Sequence, residues 1–199
     1  MSIVSEKTLN TKRTILESAE KLFMKYGIKK VTIQDIASEA GISKMTFYRS
    51  FTNKEAVACE VIQSISAKYM EKYQSIMIKA IPFSEKIKAF IFLKSEGSKD
   101  FSKEFIKDVY DAEISPLQDE IYKLQVQSRA IFMEDLRKAK ENGELRSDVN
   151  LDMIAYLIND LSIKIKDEQL LSIFDDFMEA TEQLMKHFFN GILPVETQL

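Results

Sequence analysis

The chain contains few of the residues that interrupt or cross-link a polypeptide. Its 199 residues include five glycines, three prolines and a single cysteine, Cys59. Because glycine and proline most often end helices, their scarcity predicts an almost entirely helical, all-α protein. A lone cysteine excludes a disulfide within the chain and is typical of proteins from a reducing compartment, so we expect a cytoplasmic location.

A long apolar segment is also missing from the sequence. No stretch approaches the roughly 18 consecutive apolar residues that indicate a membrane-spanning helix. The first residues lack the charged and then apolar pattern of a secretion signal. We therefore expect no membrane segment and no membrane partner.

Residue patterns typical of enzymes are equally scarce. The chain has one histidine, His187, which we interpret as a structural residue or as one at the rim of an interface. No Cys/His cluster has the spacing of metal ligands, no glycine-rich loop suits a phosphate, and no nucleophile has an evident base nearby. An enzyme is thus a poorly supported alternative, and the sequence predicts no catalytic residue, no metal site and no cofactor.

The charges of the chain are distributed unevenly. The whole chain carries a net charge of −3. Residues 1–55 nevertheless hold ten Lys or Arg against six Asp or Glu, whereas the remaining residues hold 18 against 25. A basic end joined to an acidic body indicates that one end of the protein contacts phosphate groups, as in nucleic acid.

Residues 32–51 predict two short helices joined by a tight turn, a helix-turn-helix. Apolar residues of the first helix recur at helical spacing, at Ile33, Ile36, Ala37 and Ala40. Thr32 is placed to cap the start of this helix, and Gly41 to end it, because glycine enters the left-handed backbone conformation without steric cost. Ser43 is placed to cap the second helix.

The second helix has an inner and an outer side. At about 100° per residue, Phe47 and Phe51 share the side that faces the core. The solvent side carries Lys44, Met45, Thr46, Tyr48 and Arg49. Such side chains contact phosphates, guanine edges and thymine methyl groups in a DNA major groove, which favours DNA binding. A small solvated helix within a bundle is the alternative.

Two domains are expected, with residues 1–53 as a three-helix DNA-binding domain and residues 54–199 as a larger helical domain, to which the resemblance given below assigns effector binding and dimerisation. Residues before Asn10 lack helical periodicity, which predicts a mobile arm. Lys54 begins a long fourth helix, predicted to end near Ile81, and it lies where it can meet a phosphate. About nine helices are predicted in all.

The last predicted helix has a broad apolar face. Its inner positions alternate spacings of four and three, at Phe174, Phe177, Thr181, Leu184 and Phe188. Such a face either fills the core of one chain or, together with the preceding helix, pairs with its copy in a four-helix dimer interface, and we favour the dimer.

Aromatic and polar residues of the larger domain suggest a pocket for a small effector molecule. The candidate lining residues are Tyr69, Phe90, Phe105, Tyr110, Tyr122, Gln125 and Phe132. An apolar cavity with a few polar groups would suit a flat or greasy molecule. Any one of these aromatic residues is more simply explained as core packing.

The N-terminal pattern resembles the TetR family of bacterial transcriptional regulators. The matching residues, in about the first quarter of the chain, are Ile15, Leu16, Ala19, Phe23, Gly27, Thr32, Ile36, Ala37, Ala40, Gly41, Ile42, Ser43, Phe47, Tyr48, Phe51, Lys54 and Glu55. The resemblance implies a homodimer whose paired helix-turn-helix units bind a pseudo-palindromic, double-stranded DNA operator. It also implies a C-terminal domain that holds a small-molecule effector, with repression relieved by that effector.

By position, the resemblance also implies two sets of DNA contacts. The residues that look like phosphate contacts are Thr32, Tyr48 and Lys54, and those that look like residues at or near the groove are Ser43, Lys44, Met45, Thr46 and Arg49. Met45 replaces a residue that is usually small in the family, so it would either favour a thymine methyl group or crowd the groove. A helical interaction module without DNA binding is a third hypothesis, against which the intact polar residues of this set argue.

Overall fold

The chain is helical throughout the part that the structure describes, as the sequence predicts. The computed structural model describes residues 3–97, 100–110, 115–164, 167–174 and 177–197, and no β-strand lies within these ranges. Its α-helices are α1 (Ile3–Tyr26), α2 (Ile33–Glu39), α3 (Lys44–Ser50), α4 (Lys54–Met77), α5 (Phe83–Gly97), α6 (Lys103–Tyr110), α7 (Ser115–Glu141), α8 (Leu151–Lys164), α9 (Glu168–Leu171) and α10 (Phe177–Asn190). A short 3-10 helix follows at Val195–Thr197. The single last helix predicted from the sequence is described as two helices, α9 and α10.

Two helix ends differ from the predicted ones. α1 begins at Ile3, so the mobile arm predicted before Asn10 is wrong for the described residues. No glycine or proline interrupts this segment, and an established helix gains one hydrogen bond for each residue that it adds. α4 ends at Met77 rather than near Ile81. Pro82 disfavours the helical conformation at Ile81, the residue before it, but the helix already ends four residues earlier, at Met77.

Packing divides the chain into two compact units. The first comprises Met1–Lys68 and Asp100–Gln125, and the second comprises Tyr69–Lys99 and Val126–Leu199. The first unit thus includes α6 and the beginnings of α4 and α7, which is more than residues 1–53. The functions assigned to the two predicted domains stay predictions. No helix among the described residues combines the length and the apolar composition needed to cross a membrane.

The core of the first unit joins the helix-turn-helix to α1, α4, α6 and α7. Its buried side chains include Ile15, Ala19, Phe23, Ile36, Phe47, Phe51, Val57, Ala58, Val61, Phe105 and Leu117. Burial of one large apolar side chain of this kind contributes about 1.5–3 kcal/mol. Phe105 on α6 is 3% exposed and fills this core. Its ring packs among the helices that support α2 and α3, and its predicted place in an effector pocket stays a prediction.

The second unit has a core of its own, formed by α5, α7, α8, α10 and the adjoining loops. Its buried side chains are Phe83, Ile87, Ile91, Leu136, Ala139, Leu145, Val149, Ile154, Phe189, Ile192 and Leu193. The loop between α7 and α8 forms hydrogen bonds with the ends of two helices. Glu144 accepts a hydrogen bond from the backbone N–H of Phe83 at 2.7 Å, and the guanidinium of Arg146 donates to the carbonyl oxygen of Gly191 at 2.9 Å. These bonds hold the start of α5 and the end of α10.

Candidate nucleic-acid interface

The turn between α2 and α3 is built by backbone geometry and a side-chain cap. Gly41 has a φ of +64°, in the left-handed region that glycine enters without steric cost. The N–H of Ile42 donates to the carbonyl oxygen of Ala37 at 2.9 Å, which closes the end of α2. The Oγ of Ser43 accepts from the N–H of Thr46 at 3.1 Å and caps α3. The turn predicted at Gly41 and the cap predicted at Ser43 are therefore confirmed.

Two aromatic side chains anchor the inner face of α3. Phe47 is fully buried and Phe51 is 5% exposed, and their ring centroids lie 6.0 Å apart. The ammonium of Lys12 on α1 lies 5.2 Å from the centroid of the Phe51 ring, a cation–π contact. This packing determines which side of α3 faces solvent.

The outer face of α3 is open to solvent. Met45 is 69% exposed and Tyr48 is 55% exposed, and Lys44 and Arg49 are exposed as well. Neither Lys44 nor Arg49 forms an ion pair within the described part of the chain. The guanidinium Nη2 of Arg49 donates to the Sδ of Met45 at 3.9 Å, so these two side chains lie together. The face thus presents cations, a phenol and an apolar group, as the sequence predicts.

Ser43 and Thr46 form a hydroxyl pair at the start of α3. Their Oγ and Oγ1 atoms lie 3.0 Å apart, and Thr46 is half-buried. Each hydroxyl can donate once and accept twice, so the pair retains capacity for a further hydrogen bond. Their predicted place at or near a DNA groove stays a prediction.

Thr32 is held in a capping box at the start of α2. Its Oγ1 donates to Oδ2 of Asp35 at 2.7 Å and accepts from the N–H of Asp35 at 3.2 Å. The N–H of Thr32 donates to the same carboxylate at 2.9 Å. The hydrogen bond from the Thr32 hydroxyl, followed by that from its N–H, lowers the pKa of the Asp35 carboxyl from its ordinary value. A DNA phosphate would therefore compete with Asp35 for the Thr32 hydroxyl, and this contact stays a prediction.

Lys54 has a different role in the structure from the one predicted. Its Nζ donates to the carbonyl oxygens of Ile28, Lys29 and Val31 at 2.8, 3.1 and 2.8 Å. A lysine ammonium has three N–H donors, so the segment that joins α1 to α2 uses all of them. Lys54 therefore holds that segment in place, so a DNA phosphate would compete with these carbonyl oxygens for its donors, and the predicted phosphate contact stays a prediction.

Asp108 is a second residue that holds this segment, and sequence reasoning missed it. Asp108 lies on α6, is 9% exposed, and accepts a hydrogen bond from the N–H of Lys29 at 2.8 Å. Gly27 has a φ of +85°, and a Cβ at this position would lie 2.7 Å from the same carboxylate oxygen. No sequence pattern signals the contact, because an acidic residue on an amphipathic helix is ordinary and its partner is distant in sequence.

Three aromatic residues of the second unit pack together, two of them predicted pocket residues. The ring of Tyr73 lies 5.1 Å from that of Phe90, and the rings of Phe90 and Phe132 lie 6.5 Å apart. The Tyr73 hydroxyl donates to Asp135 at 2.8 Å. Burial, followed by this hydrogen bond to a carboxylate, raises the pKa of Tyr73. This aromatic cluster is the part of the predicted pocket that the structure brings together.

The other predicted pocket residues lie elsewhere. Tyr122 is 64% exposed and Gln125 is exposed, because Leu124 is on the side of α7 that packs against the core of the first unit. Neither residue belongs to the aromatic cluster, and their predicted place in a pocket stays a prediction. Tyr69 is half-buried on α4. The side chain of Tyr110 lies outside the described residues.

The described residues among those predicted at a dimer interface range from buried to half-buried. Thr181 is 9% exposed within one chain, and its predicted place at the interface stays a prediction. The ring of Phe188 lies 5.3 Å from that of Phe189 and packs partly against the core. Leu184 and Phe174 are half-buried. The side chain of Phe177 lies outside the described residues.

Two exposed apolar side chains on α8 were not among the predicted interface residues. Met153 is 61% exposed and Tyr156 is 73% exposed. Both belong to the stretch of α8 in which Ile154 faces the core. The helical period could have indicated their outward position, because they lie one residue before and two residues after a buried position.

Comparisons with known proteins agree with this geometry. A family model described as bacterial regulatory proteins, tetR family, matches residues 15–61, from α1 to the first turns of α4. The chain is 32% identical to YerO of Bacillus subtilis, an uncharacterized HTH-type transcriptional regulator, over 72% of this chain and 52% of that protein. The matched part thus spans about half the length of YerO.

More distant relatives share the same architecture. The HTH-type transcriptional repressor KstR2 of Mycobacterium tuberculosis is 24% identical over 76% of this chain and 78% of the repressor. The solved structure of the fatty acid degradation regulator FadR from Bacillus halodurans has a TM-score of 0.69 and 19% identity, and the match covers 90% of this chain and 95% of that one. At that identity the structural match shows a common fold.

Proposed function

Because this chain belongs to the TetR family of bacterial transcriptional regulators, we propose that it is a ligand-responsive transcriptional repressor. It binds a pseudo-palindromic DNA operator as a homodimer and leaves the operator when a small-molecule effector binds. The observation that carries the proposal is the outer face of α3, where Lys44, Met45, Tyr48 and Arg49 point to solvent while the inner face is anchored in a core.

In the proposed complex, α3 lies in the major groove and its first residues reach the base edges. Ser43, Lys44, Met45, Thr46 and Arg49 lie at or near the groove, and Thr32 and Tyr48 contact phosphates. Phosphate contacts position the protein, whereas base contacts select the sequence. Lys54 acts indirectly, since it holds the segment that leads into α2.

The proposed homodimer presents two such helices about 34–36 Å apart, which matches successive major grooves. Its interface involves α8 and α10. Support comes from the exposed apolar side chains of Met153 and Tyr156 on α8 and from the partial exposure of Leu184 and Phe188 on α10. Burial of such groups against a second copy would stabilise the dimer.

The proposed effector site lies in the second unit, at the aromatic cluster of Tyr73, Phe90 and Phe132. An effector that binds more tightly to the DNA-free dimer than to the DNA-bound dimer must weaken operator binding. The factor by which the effector lowers the affinity for the operator equals the factor by which the operator lowers the affinity for the effector. α4 contributes residues to both units, so it is a candidate for carrying this coupling. The proposal places the protein in the cytoplasm and assigns it no enzymatic activity, metal or cofactor.

Selection of bound duplexes from a random pool tests the DNA-binding part of the proposal. We expect a pseudo-palindrome to be enriched, and its affinity to fall with salt by a slope of about 0.9 for each phosphate contacted. Lys44→Ala and Arg49→Ala should each weaken binding. Lys79→Ala removes the same charge from an exposed position of the second unit, so it should leave the affinity unchanged. Failure to enrich any duplex would contradict the proposal.

A ligand screen on the selected protein–DNA complex tests the effector part. A true effector should release the duplex and should also raise the melting temperature of the DNA-free protein, because it binds the native state. Phe132→Leu should weaken release without weakening duplex binding, since Phe132 belongs to the second unit. A compound that releases DNA equally from this variant acts at another site.

A further inference from the structure

We infer that Met45 makes each half-site of the operator require a thymine, whose methyl group it contacts, within one or two base pairs of a guanine bound by Arg49. The inference rests on the proposed operator binding and adds the chemistry of the base pairs that are read. It follows from the position of Met45, its exposure and its contact with Arg49.

The apolar side chain of Met45 is exposed to solvent, because the opposite side of α3 is packed into the core. It is 69% exposed, whereas Phe47 on the same helix and Phe51 just after the end of the helix are 5% exposed or less. It is the second residue of α3, and in helix-turn-helix proteins the N-terminal residues of this helix contact base edges. An apolar group at such a position gains free energy when the complex removes it from water.

Only one group in the major groove suits this side chain. The edges of guanine, adenine and cytosine present hydrogen-bond donors and acceptors, whereas thymine adds a C5 methyl group. The thioether of methionine is at best a weak hydrogen-bond acceptor, so it would leave the polar edges of other bases desolvated and unpaired. Its flexible, polarizable chain adapts well to an apolar partner. The position therefore discriminates thymine from cytosine.

The contact with Met45 positions the guanidinium of Arg49, which is the second group proposed to contact a base. Nη2 of Arg49 donates to Sδ of Met45 at 3.9 Å, which holds the guanidinium beside the thioether. An arginine has five N–H donors, so enough remain for a bidentate contact with O6 and N7 of guanine. Residues four apart on a helix lie about 5–6 Å apart at Cβ, and base pairs are stacked every 3.4 Å or so. The guanine therefore lies one or two base pairs from the thymine.

Replacement of single thymines by deoxyuridine in the selected operator tests the role of Met45, because deoxyuridine lacks only the methyl group. Burial of one methyl-sized group changes affinity by about fourfold. We expect one sensitive thymine in each half-site, and a loss of about fifteenfold when both are replaced, since separate positions add. Met45→Ala should bind the thymine operator more weakly and lose this sensitivity. Met45→Leu, which keeps an apolar end but no sulfur, should retain it.

Replacement of single guanines by 7-deazaguanine tests the role of Arg49, because this base lacks the N7 acceptor. The wild-type protein should lose affinity at one guanine within two base pairs of the sensitive thymine. Arg49→Lys retains the charge but not the planar fork, so it should bind more weakly and discriminate less at that guanine. Ile78→Ala, a truncation at a side chain that is 84% exposed in the second unit, serves as the control and should behave as wild type.

The outcomes separate this inference from the proposed function. If a selected operator is bound but no deoxyuridine position matters, or if Met45→Ala remains as sensitive as wild type, the inference is overturned and the proposed function stands. If no duplex is selected by the wild-type protein, both are overturned. Because Met45 is exposed, its variants should melt at the temperature of the wild type, which confirms that a lost contact rather than unfolding is measured.

Discussion

The carboxylate of Asp108 accepts a hydrogen bond from the backbone N–H of Lys29 at 2.8 Å, although 79 residues separate the two in sequence. The carbonyl oxygen of Lys29 accepts from the ammonium of Lys54 in turn. The short segment that leads from α1 into α2 is thus held by side chains from α6 and α4. Because α2 begins at the end of this segment, these two side chains help to position the helix-turn-helix within the first unit.

Asp108→Ala should lower the free energy of unfolding by about 1–3 kcal/mol, because the N–H of Lys29 loses its acceptor beside a nearly buried position. Urea denaturation of the purified protein measures this loss. Asp119→Ala, which removes an exposed carboxylate from α7 in the same unit, should change stability by no more than about 0.5 kcal/mol. Equal effects of the two substitutions would show that the bond to Lys29 contributes nothing specific.

Lys54→Met should lower stability by about 2 kcal/mol, since it leaves three carbonyl oxygens without the charged donor that they share. At temperatures where the variant remains folded, the salt dependence of operator binding should keep the slope of the wild type. Fluorescence anisotropy at several salt concentrations measures this slope. A slope flatter by about one unit for each half-site would instead show that Lys54 contacts a phosphate.

The capping box at Thr32 and Asp35 should contribute a pH-dependent part of the stability. Because its hydrogen bonds lower the pKa of Asp35 below the ordinary value of 3.8, the charged form stabilises the folded state. This contribution is present above the ordinary pKa and is lost as the pH falls through the lowered one. The stability difference between wild type and Asp35→Ala should therefore be constant near neutral pH and shrink below about pH 4.

Thermal unfolding of both proteins across this pH range measures the difference. Asp35→Asn serves as the matched control, because it keeps a side-chain acceptor that does not titrate. Its stability relative to Asp35→Ala should show no such change with pH. If the stability difference between wild type and Asp35→Ala instead grew as the pH fell, folding would not lower the pKa of Asp35, and the prediction would be wrong.

Tyr156→Glu should shift the protein from dimer to monomer if α8 forms the proposed interface, because a charge buried against a second copy is costly without a partner. Tyr156 is 73% exposed in the single chain, so the substitution should leave the fold of the monomer unchanged. Light scattering coupled to size-exclusion chromatography measures the mass. Ile78→Glu adds the same charge at another exposed apolar residue and should leave the dimer intact. An intact dimer in both variants would place the interface elsewhere.

Local features of the helix-turn-helix could be predicted from the sequence because they depend on residues three or four positions apart. The cap at Ser43, the turn at Gly41 and the inward side of Phe47 all follow from helical spacing and from backbone preferences of single residues. The outward side of α3 follows from the same period. These are the features on which the proposed function depends.

Sequence reasoning placed residues on their helices but could not identify the partners against which they pack. Phe105 and Tyr122 lie on the predicted helices, but one fills the first core and the other faces solvent. Thr181 lies on a predicted apolar face, yet that part of the face is covered within one chain. Helical spacing shows which residues share a face, but it does not show which other helix covers that face.

The sequence by itself therefore determined that the chain is helical, where the helix-turn-helix lies and which side chains α3 exposes, since these are set by interactions within one or two helical turns. Only the tertiary structure decided that Lys54 and Asp108 hold the segment between α1 and α2. These contacts join residues at least 23 positions apart in sequence. Such contacts depend on how helices that are distant in sequence pack together, and the spacing of residue types along the chain does not indicate that packing.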